Sequence, residues 1–329
     1  MTPATEVLVD LVVAFGLVVI LPLGLSLLGP RAVPGAGGPW WPAAGAVTAA
    51  GAWLPQGVLA QATTIPFLAG SVVLLAAAVR VALPGPTAPR APEVRLAVGV
   101  GLVMPAVGAV AMLADRGGWG LLGFSGTYLA LTVPHMLFAG FAAALVAGLV
   151  GTLGDGRGQG GEKGMRRGSH GAPVRGACAR LGALGVPLGT GLVLVGYFVG
   201  NVVELFGALV LTAALWCTAW AVLGIRARGG ARALLVAGSL AVGGSMVLAV
   251  WWAVGELTGV PHLSIGQMAA THGIANALGF SLCTLLGLRF VRAGPGRAGA
   301  ASGPPRAPAL QEHDLSPHRP SRSPGRRQA

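Results

Sequence analysis

Residues 7–29, VLVDLVVAFGLVVILPLGLSLLG, decide the class of fold. The run carries one charge, Asp10, and exceeds the roughly 20 residues that an α-helix needs to cross a bilayer. No lysine or arginine precedes it, and it is too long for the apolar core of a secretory signal. It therefore reads as a retained span rather than a cleaved leader. Working outward, eight further apolar stretches follow at about 41–60, 64–84, 96–114, 128–153, 181–199, 202–225, 233–255 and 265–290. The second is the weakest, because it contains Pro42 and Pro55. The segment 117–127, GGWGLLGFSGT, is too short to span and is expected at the membrane interface. Composition agrees: 54% of the 329 residues are apolar and 10% charged, against about 25% charged in a soluble domain. The expected fold is all-α, a polytopic transmembrane helical bundle of about nine spans. No internal repeat is discernible, so nothing points to an inverted-repeat transporter. The 55 glycines allow close helix contact, which matters where lipid gives helices no hydrophobic reason to associate.

The net charge of +12 does not read as a nucleic-acid surface, since the basic residues sit in loops and a tail without interleaved aromatics. They sort by side instead. With the N-terminus outside, the inside segments are about 30–40, 85–95, 154–180, 226–232 and the tail. Together with Arg80 and Arg289 at helix ends, these hold every one of the 22 basic residues except Arg116. That bias predicts an outside N-terminus and a cytoplasmic C-terminus in the cell membrane. Trp53, Trp119, Trp251 and Trp252 fall near the expected outer ends, where amphipathic rings favour the headgroup region. Residues 1–290 form the expected transmembrane domain, with a Gly-rich, basic, flexible cytoplasmic loop at 154–180. Residues 291–329, rich in Pro, Arg and Ser, read as a disordered basic cytoplasmic tail. The lipid bilayer is the main partner. Anionic lipid is expected beside the basic loops and tail, at on the order of 1 kcal/mol per basic residue. His170, His313 and His318 lie in these segments and read as solvated side chains.

An ionisable side chain near the bilayer centre costs at least about 2.5–3.5 kcal/mol, so each one needs a reason. Asp10, His135, Glu204, Glu256 and His272 all fall in the outer half, with His262, Gln56 and Gln61 adjoining. The inner half holds only arginines that can snorkel. His135 and His272 each lie about seven residues in from the outside, roughly 10 Å deep at 1.5 Å per residue. Met268, His272, Asn276, Gly279 and Cys283 share one helical face, and Thr132 neighbours His135 at i,i+3. Pro134 frees a carbonyl beside His135. The candidate ligand-binding residues are His135, His272, Asn276, Thr132, Glu204 and Asp10, with His135 and His272 as candidate metal ligands. The plainer alternative has each histidine bonded to a neighbouring helix and Glu204 and Glu256 as solvated helix ends. Cys178, Cys217 and Cys283 show no metal-binding spacing and read as buried free thiols.

Two stretches, LTVPHMLFAGF (131–141) and MAATHGIANALGF (268–280), resemble the best-marked segments of the YndJ-like family of bacterial membrane proteins. In that family an LT-x-x-H segment leads to FAGF, and THG-x-x-NA-x-GF lies in the last span. The matching positions are Leu131, Thr132, His135, Phe138, Ala139, Gly140 and Phe141, then Thr271, His272, Gly273, Asn276, Ala277, Gly279 and Phe280. The resemblance implies likeness over residues 1–290. Where the family often has a second histidine two positions after the first, this chain has Leu137, which weakens any two-ligand metal clamp from that span.

Four functional classes fit these residues. The leading one is a non-enzymatic binding or transport role for a small polar solute or ion through an outward-facing polar pocket. There His135, His272 and Asn276 would form the wall, and Glu204 and Asp10 would supply negative charge. No cofactor is then needed. A second is redox, with His135 and His272 as axial ligands of a haem iron. A third is an intramembrane metal-dependent hydrolase using His135, His272 and Glu204, a donor set that suits a divalent metal such as zinc but lacks HExxH. The fourth is a structural or regulatory membrane component.

Overall fold

The computed structural model describes residues 2–85, 89, 91–154 and 172–293. Among them regular structure is helical, apart from an isolated bridge between Leu121 and Phe124. The chain forms α1 (Pro3–Leu28), a short α2 (Trp40–Ala50), α3 (Val58–Ala82), α4 (Pro92–Gly117), α5 (Thr127–Thr152), α6 (Ala172–Val199), α7 (Asn201–Leu223), α8 (Gly229–Thr258) and α9 (Ile265–Ala293). Eight of these, all but α2, are long and apolar enough to cross a membrane.

The expected span at 41–60 is the exception. Its helix, α2, covers 11 residues, about 16 Å of rise, and passes through a 3₁₀ turn at Gly51–Trp53 into an extended Leu54. Pro55 has no N–H to donate, and Gly57 adopts φ +149°, so the helix cannot continue. Even so, α2 runs antiparallel to α3. Trp41 lies against Gly70, Gly51 meets Thr63, and the Thr48 hydroxyl donates to the Thr63 carbonyl at 3.0 Å. The chain thus reverses direction here as a full span would. A second difference is the start of α6. Pro173 sits in its first turn, where no N–H is required, so residues 172–180 are helical rather than part of the expected loop. The rest of that loop, 155–171, and the tail from 294 lie outside the described residues.

Contacts between helix ends show which termini meet. The Gly57 N–H donates to the Arg116 carbonyl at 2.8 Å, Thr5 packs on Gly266, and Asn201 Nδ2 donates to the Glu256 carbonyl at 2.8 Å. Phe124, in the link after α4, packs edge-on against Tyr197 and Phe198 at the end of α6. At the opposite end Arg289 donates to Ser26, and Arg175 lies on Gly224. Among the described residues, the first end holds Glu6, Asp10, Asp115, Glu204 and Glu256 with Arg116 as its one arginine. The second end holds Arg31, Arg80, Arg95, Arg175, Arg180, Arg226, Arg228, Arg232, Arg289 and Arg292, with Glu93. The bundle has an acidic end and a basic end.

Helix α5 is central: 83% of its most apolar stretch is buried inside the bundle, against 33–56% in the other seven spanning helices. Phe15 of α1 stacks on Phe138, and Met104 of α4 covers Gly140 so closely that an added Cβ would lie 2.7 Å from its Cγ. Helices α1, α5 and α9 all widen into π-turns, at Gly16–Ile20, Met136–Ala142, and Ala269–Gly273 with Ala275–Leu282. In α1 the wide turn precedes Pro22, whose ring would otherwise press on the Val18 carbonyl. In α5 and α9 the wide turns hold the FAGF, THG and NALGF segments, and such turns recur at functional sites.

Candidate functional site

The polar residues of the acidic end fall into three groups. The first centres on His272. Its Nδ1 lies 2.8 Å from the Ser245 carbonyl on α8, and its Nε2 lies 2.9 Å from Asn276 Nδ2, one turn along α9. The Ser245 hydroxyl donates to Asn276 Oδ1 at 2.8 Å, closing a ring of three bonds. Because a carbonyl only accepts, Nδ1 must carry the proton; because the Asn276 amide donates, Nε2 must be bare. The imidazole is therefore neutral. Turning the amide over would set Oδ1 against Nε2 and require an imidazolium, a charge disfavoured among apolar helices. Adding a proton to His272 thus requires Asn276 to rotate, which couples charge on the ring to the position of a neighbouring side chain.

His135 sits on α5 beside this ring, close enough for the two imidazoles to interact electrostatically. Its Nδ1 donates to the Leu131 carbonyl of its own helix at 2.7 Å, which leaves Nε2 outside that bond on an exposed side chain. Thr132 spends its proton on the Tyr128 carbonyl at 2.7 Å. His272 and Asn276 are thus brought together, and His135, with Thr132 on the adjoining turn of its helix, is within electrostatic reach of His272. For metal or haem ligation the fit is poor, since Nε2 of His272 already accepts a bond from Asn276. Among the described residues no three His, Cys, Asp or Glu side chains gather as a metal would need.

Asp10 and Glu204 belong to other groups. Asp10 is within electrostatic reach of Arg116, Asp115 and Glu6. Arg116 forks onto Asp115 Oδ2, from Nε at 2.9 Å and Nη2 at 2.7 Å, and donates from Nη1 to the Ala52 carbonyl at 2.8 Å. Gln56 Nε2 donates to the Asp115 carbonyl at 2.8 Å. Arg116, the one arginine at the acidic end among the described residues, is therefore neutralised by its neighbour and ties the turn at 51–57 to α4. Glu204, in the first turn of α7, interacts electrostatically with Glu256, which pairs with His262 at 3.3 Å. Trp252 meets the His262 ring edge-on at 6.1 Å, so this group clasps the loop at 259–264.

Sequence reasoning missed Ser245, which closes the His272 ring from α8. It also missed Ser281 and Thr284 on α9, whose buried hydroxyls have no hydrogen-bond partner among the described residues. They lie beyond Asn276 toward the basic end, and Thr284 faces Gly238 of α8. Their signal in the sequence was only a small polar residue every few positions.

If the ring is cooperative, Asn276→Ala and His272→Ala should each cost about 1 kcal/mol, near the upper range of interhelical hydrogen bonds in membranes. The double variant should cost clearly less than the sum, because either change breaks the bond they share. Thermal melting of the four proteins checks this, and simple additivity would contradict it.

A family model described as YndJ-like protein matches residues 11–280 of the chain, a range that includes both motifs. Neither the curated proteins nor the solved structures contain a match.

Proposed function

The chain belongs to the YndJ-like family, and we propose that it is a multi-pass membrane protein that binds a small polar solute or ion at its acidic end and serves its transport. The observation that carries this reading is the His272–Asn276–Ser245 ring, held in otherwise apolar helices with His135 within electrostatic reach. Buried polar groups are costly there and are kept where they serve binding or passage. Carboxylates at Asp10 and Glu204, in the other polar groups of the acidic end, favour a cation or a hydrogen-bond donor as the bound species. The hydroxyls of Ser281 and Thr284, without a hydrogen-bond partner among the described residues, supply polar positions deeper in the bundle, as a route would need. By the positive-inside rule the basic end faces the cytoplasm and the site opens outward. The role is one of binding, without covalent chemistry.

The test is thermal melting of the purified full chain with ammonium, sodium, potassium, magnesium or zinc salts, and with urea and acetamide. At least one should raise the melting temperature of the wild type, and the gain should vanish in His135→Ala and His272→Ala. No gain with any probe, or an equal gain in the variant lacking both histidines, would contradict the proposal.

A further inference from the structure

We propose that the arginines gathered at the link between α7 and α8, Arg175, Arg226, Arg228 and Arg232, form a binding site for the phosphate of an anionic phospholipid. The link is short, running over 224–228 between the end of α7 at Leu223 and the start of α8 at Gly229. Two of the side chains converge on it from the helices around it. Arg232, in the first turn of α8, donates from Nη1 to the Leu223 carbonyl at 2.7 Å. Arg175 of α6 crosses the end of α7 so closely that an added Cβ on Gly224 would lie 2.6 Å from its Cδ. Arg226 and Arg228 belong to the link itself and are exposed, as is Arg175. The link folds back on α7, where the Gly224 and Ile225 N–H groups donate to the Ala221 and Val222 carbonyls, each at 3.0 Å.

Guanidinium groups crowded about so short a link repel one another and call for an anion. Among the described residues no carboxylate supplies it: Glu93, the acid at this end, pairs instead with Arg180 at 3.5 Å. The last carbonyls of α7 offer only partial negative charge, and Arg232 takes one of them with a single donor. A guanidinium carries several N–H donors in a planar fork, so these side chains keep donors for phosphate oxygens, which arginine can hold in pairs.

The surroundings favour a lipid phosphate over one free in water. Trp216 and Trp220 lie one turn apart on α7, both exposed, and Trp220 is one turn before Gly224. Trp216 Nε1 donates to the Gly243 carbonyl of α8 at 3.2 Å, and the Ser239 hydroxyl donates to the Ala219 carbonyl at 3.3 Å. The Trp216 ring therefore lies at the seam of α7 and α8, and Leu240, next to Ser239, is exposed as well. Tryptophan favours headgroup depth, which puts the arginines at the level of lipid phosphates. An acyl chain can lie along these apolar side chains while its phosphate meets the guanidinium groups, whose stems snorkel along the same surface. Basic clusters at helix ends are where anionic headgroups bind.

The experiment measures the melting temperature of the purified full chain in detergent with phosphatidylglycerol, with phosphatidylcholine of the same acyl chains, or with inorganic phosphate. Phosphatidylglycerol should raise it by several degrees, as a ligand of the folded state does, and the other two should not. Changing Arg226→Gln and Arg228→Gln together should abolish the gain, and Arg175→Gln, from α6, should weaken it on its own. Arg226 and Arg228 make no side-chain bond among the described residues, so that variant should melt like the wild type in phosphatidylcholine. Changing Arg31→Gln and Arg80→Gln together removes equal charge from exposed positions near the ends of α1 and α3, and should keep the gain. An equal gain with phosphatidylcholine would point to the tails alone, and an equal gain with inorganic phosphate to a free anion. An equal loss in the two double variants would point to diffuse charge. Each of these overturns the proposal, as does a gain that survives the changes at 175, 226 and 228.

Discussion

Replacing Arg116 by alanine should destabilise the protein by about 3–5 kcal/mol, the range for leaving one partner of a buried ion pair alone. The pair qualifies because its side chains are only 15% and 10% exposed. The guanidinium is also forked onto one carboxylate oxygen and bonded to the Ala52 carbonyl. Without it, Asp115 keeps a charge in a site that offers no other cation among the described residues, and the turn at 51–57 loses its tie to α4. The melting temperature should fall by on the order of 10 °C. Asp115→Asn combined with Arg116→Gln should recover a good part of the loss, since it removes both charges together. An Arg116→Ala protein that melts like the wild type would show that the pair is solvated and structurally idle.

The second large effect separates two glycines of one helix. Gly189→Ala places a methyl group 2.6 Å from the Leu211 backbone, where nothing flexible can move aside, so α6 and α7 must part. The expected cost is about 1–3 kcal/mol, as for overpacking a filled core. Gly191, two residues on, has nothing within 4 Å of an added Cβ. Gly191→Ala should cost nothing and can gain up to about 1 kcal/mol from helix propensity. Thermal melting of both variants decides the matter, and equal effects would mean that the glycine face does not set the spacing of the hairpin.

What could be read from the sequence follows from what a linear pattern can encode. Long apolar runs are local, so eight spanning helices were legible, and so was the crowding of basic residues at alternate connections. The length of α2 was not, because apolarity continues through 54–60 while Pro55 and Gly57 end the helix. Asn276 was legible as a partner of His272 because an i,i+4 pair shares a helical face. Ser245, from another helix, was one small residue among many. Arg116 stood out as an exception to the charge count, but its burial depends on the 51–57 turn folding over α4. Asp10 and Glu204 were grouped with the histidines by depth alone; depth does not give position around the bundle, and the two lie in separate clusters.

The central claim is that a polar solute or ion binds beside His135 and His272. Nitrogen-15 NMR of the full chain with labelled histidine, assigned by single substitutions, tests it most directly. His272 should appear as a neutral ring protonated at Nδ1, as its bonds to Ser245 and Asn276 require. Titration with the salt or amide that stabilises the protein should then move the His135 and His272 signals and leave His262 in place. Saturation that moves His262, or moves no histidine while still stabilising the chain, would contradict the account.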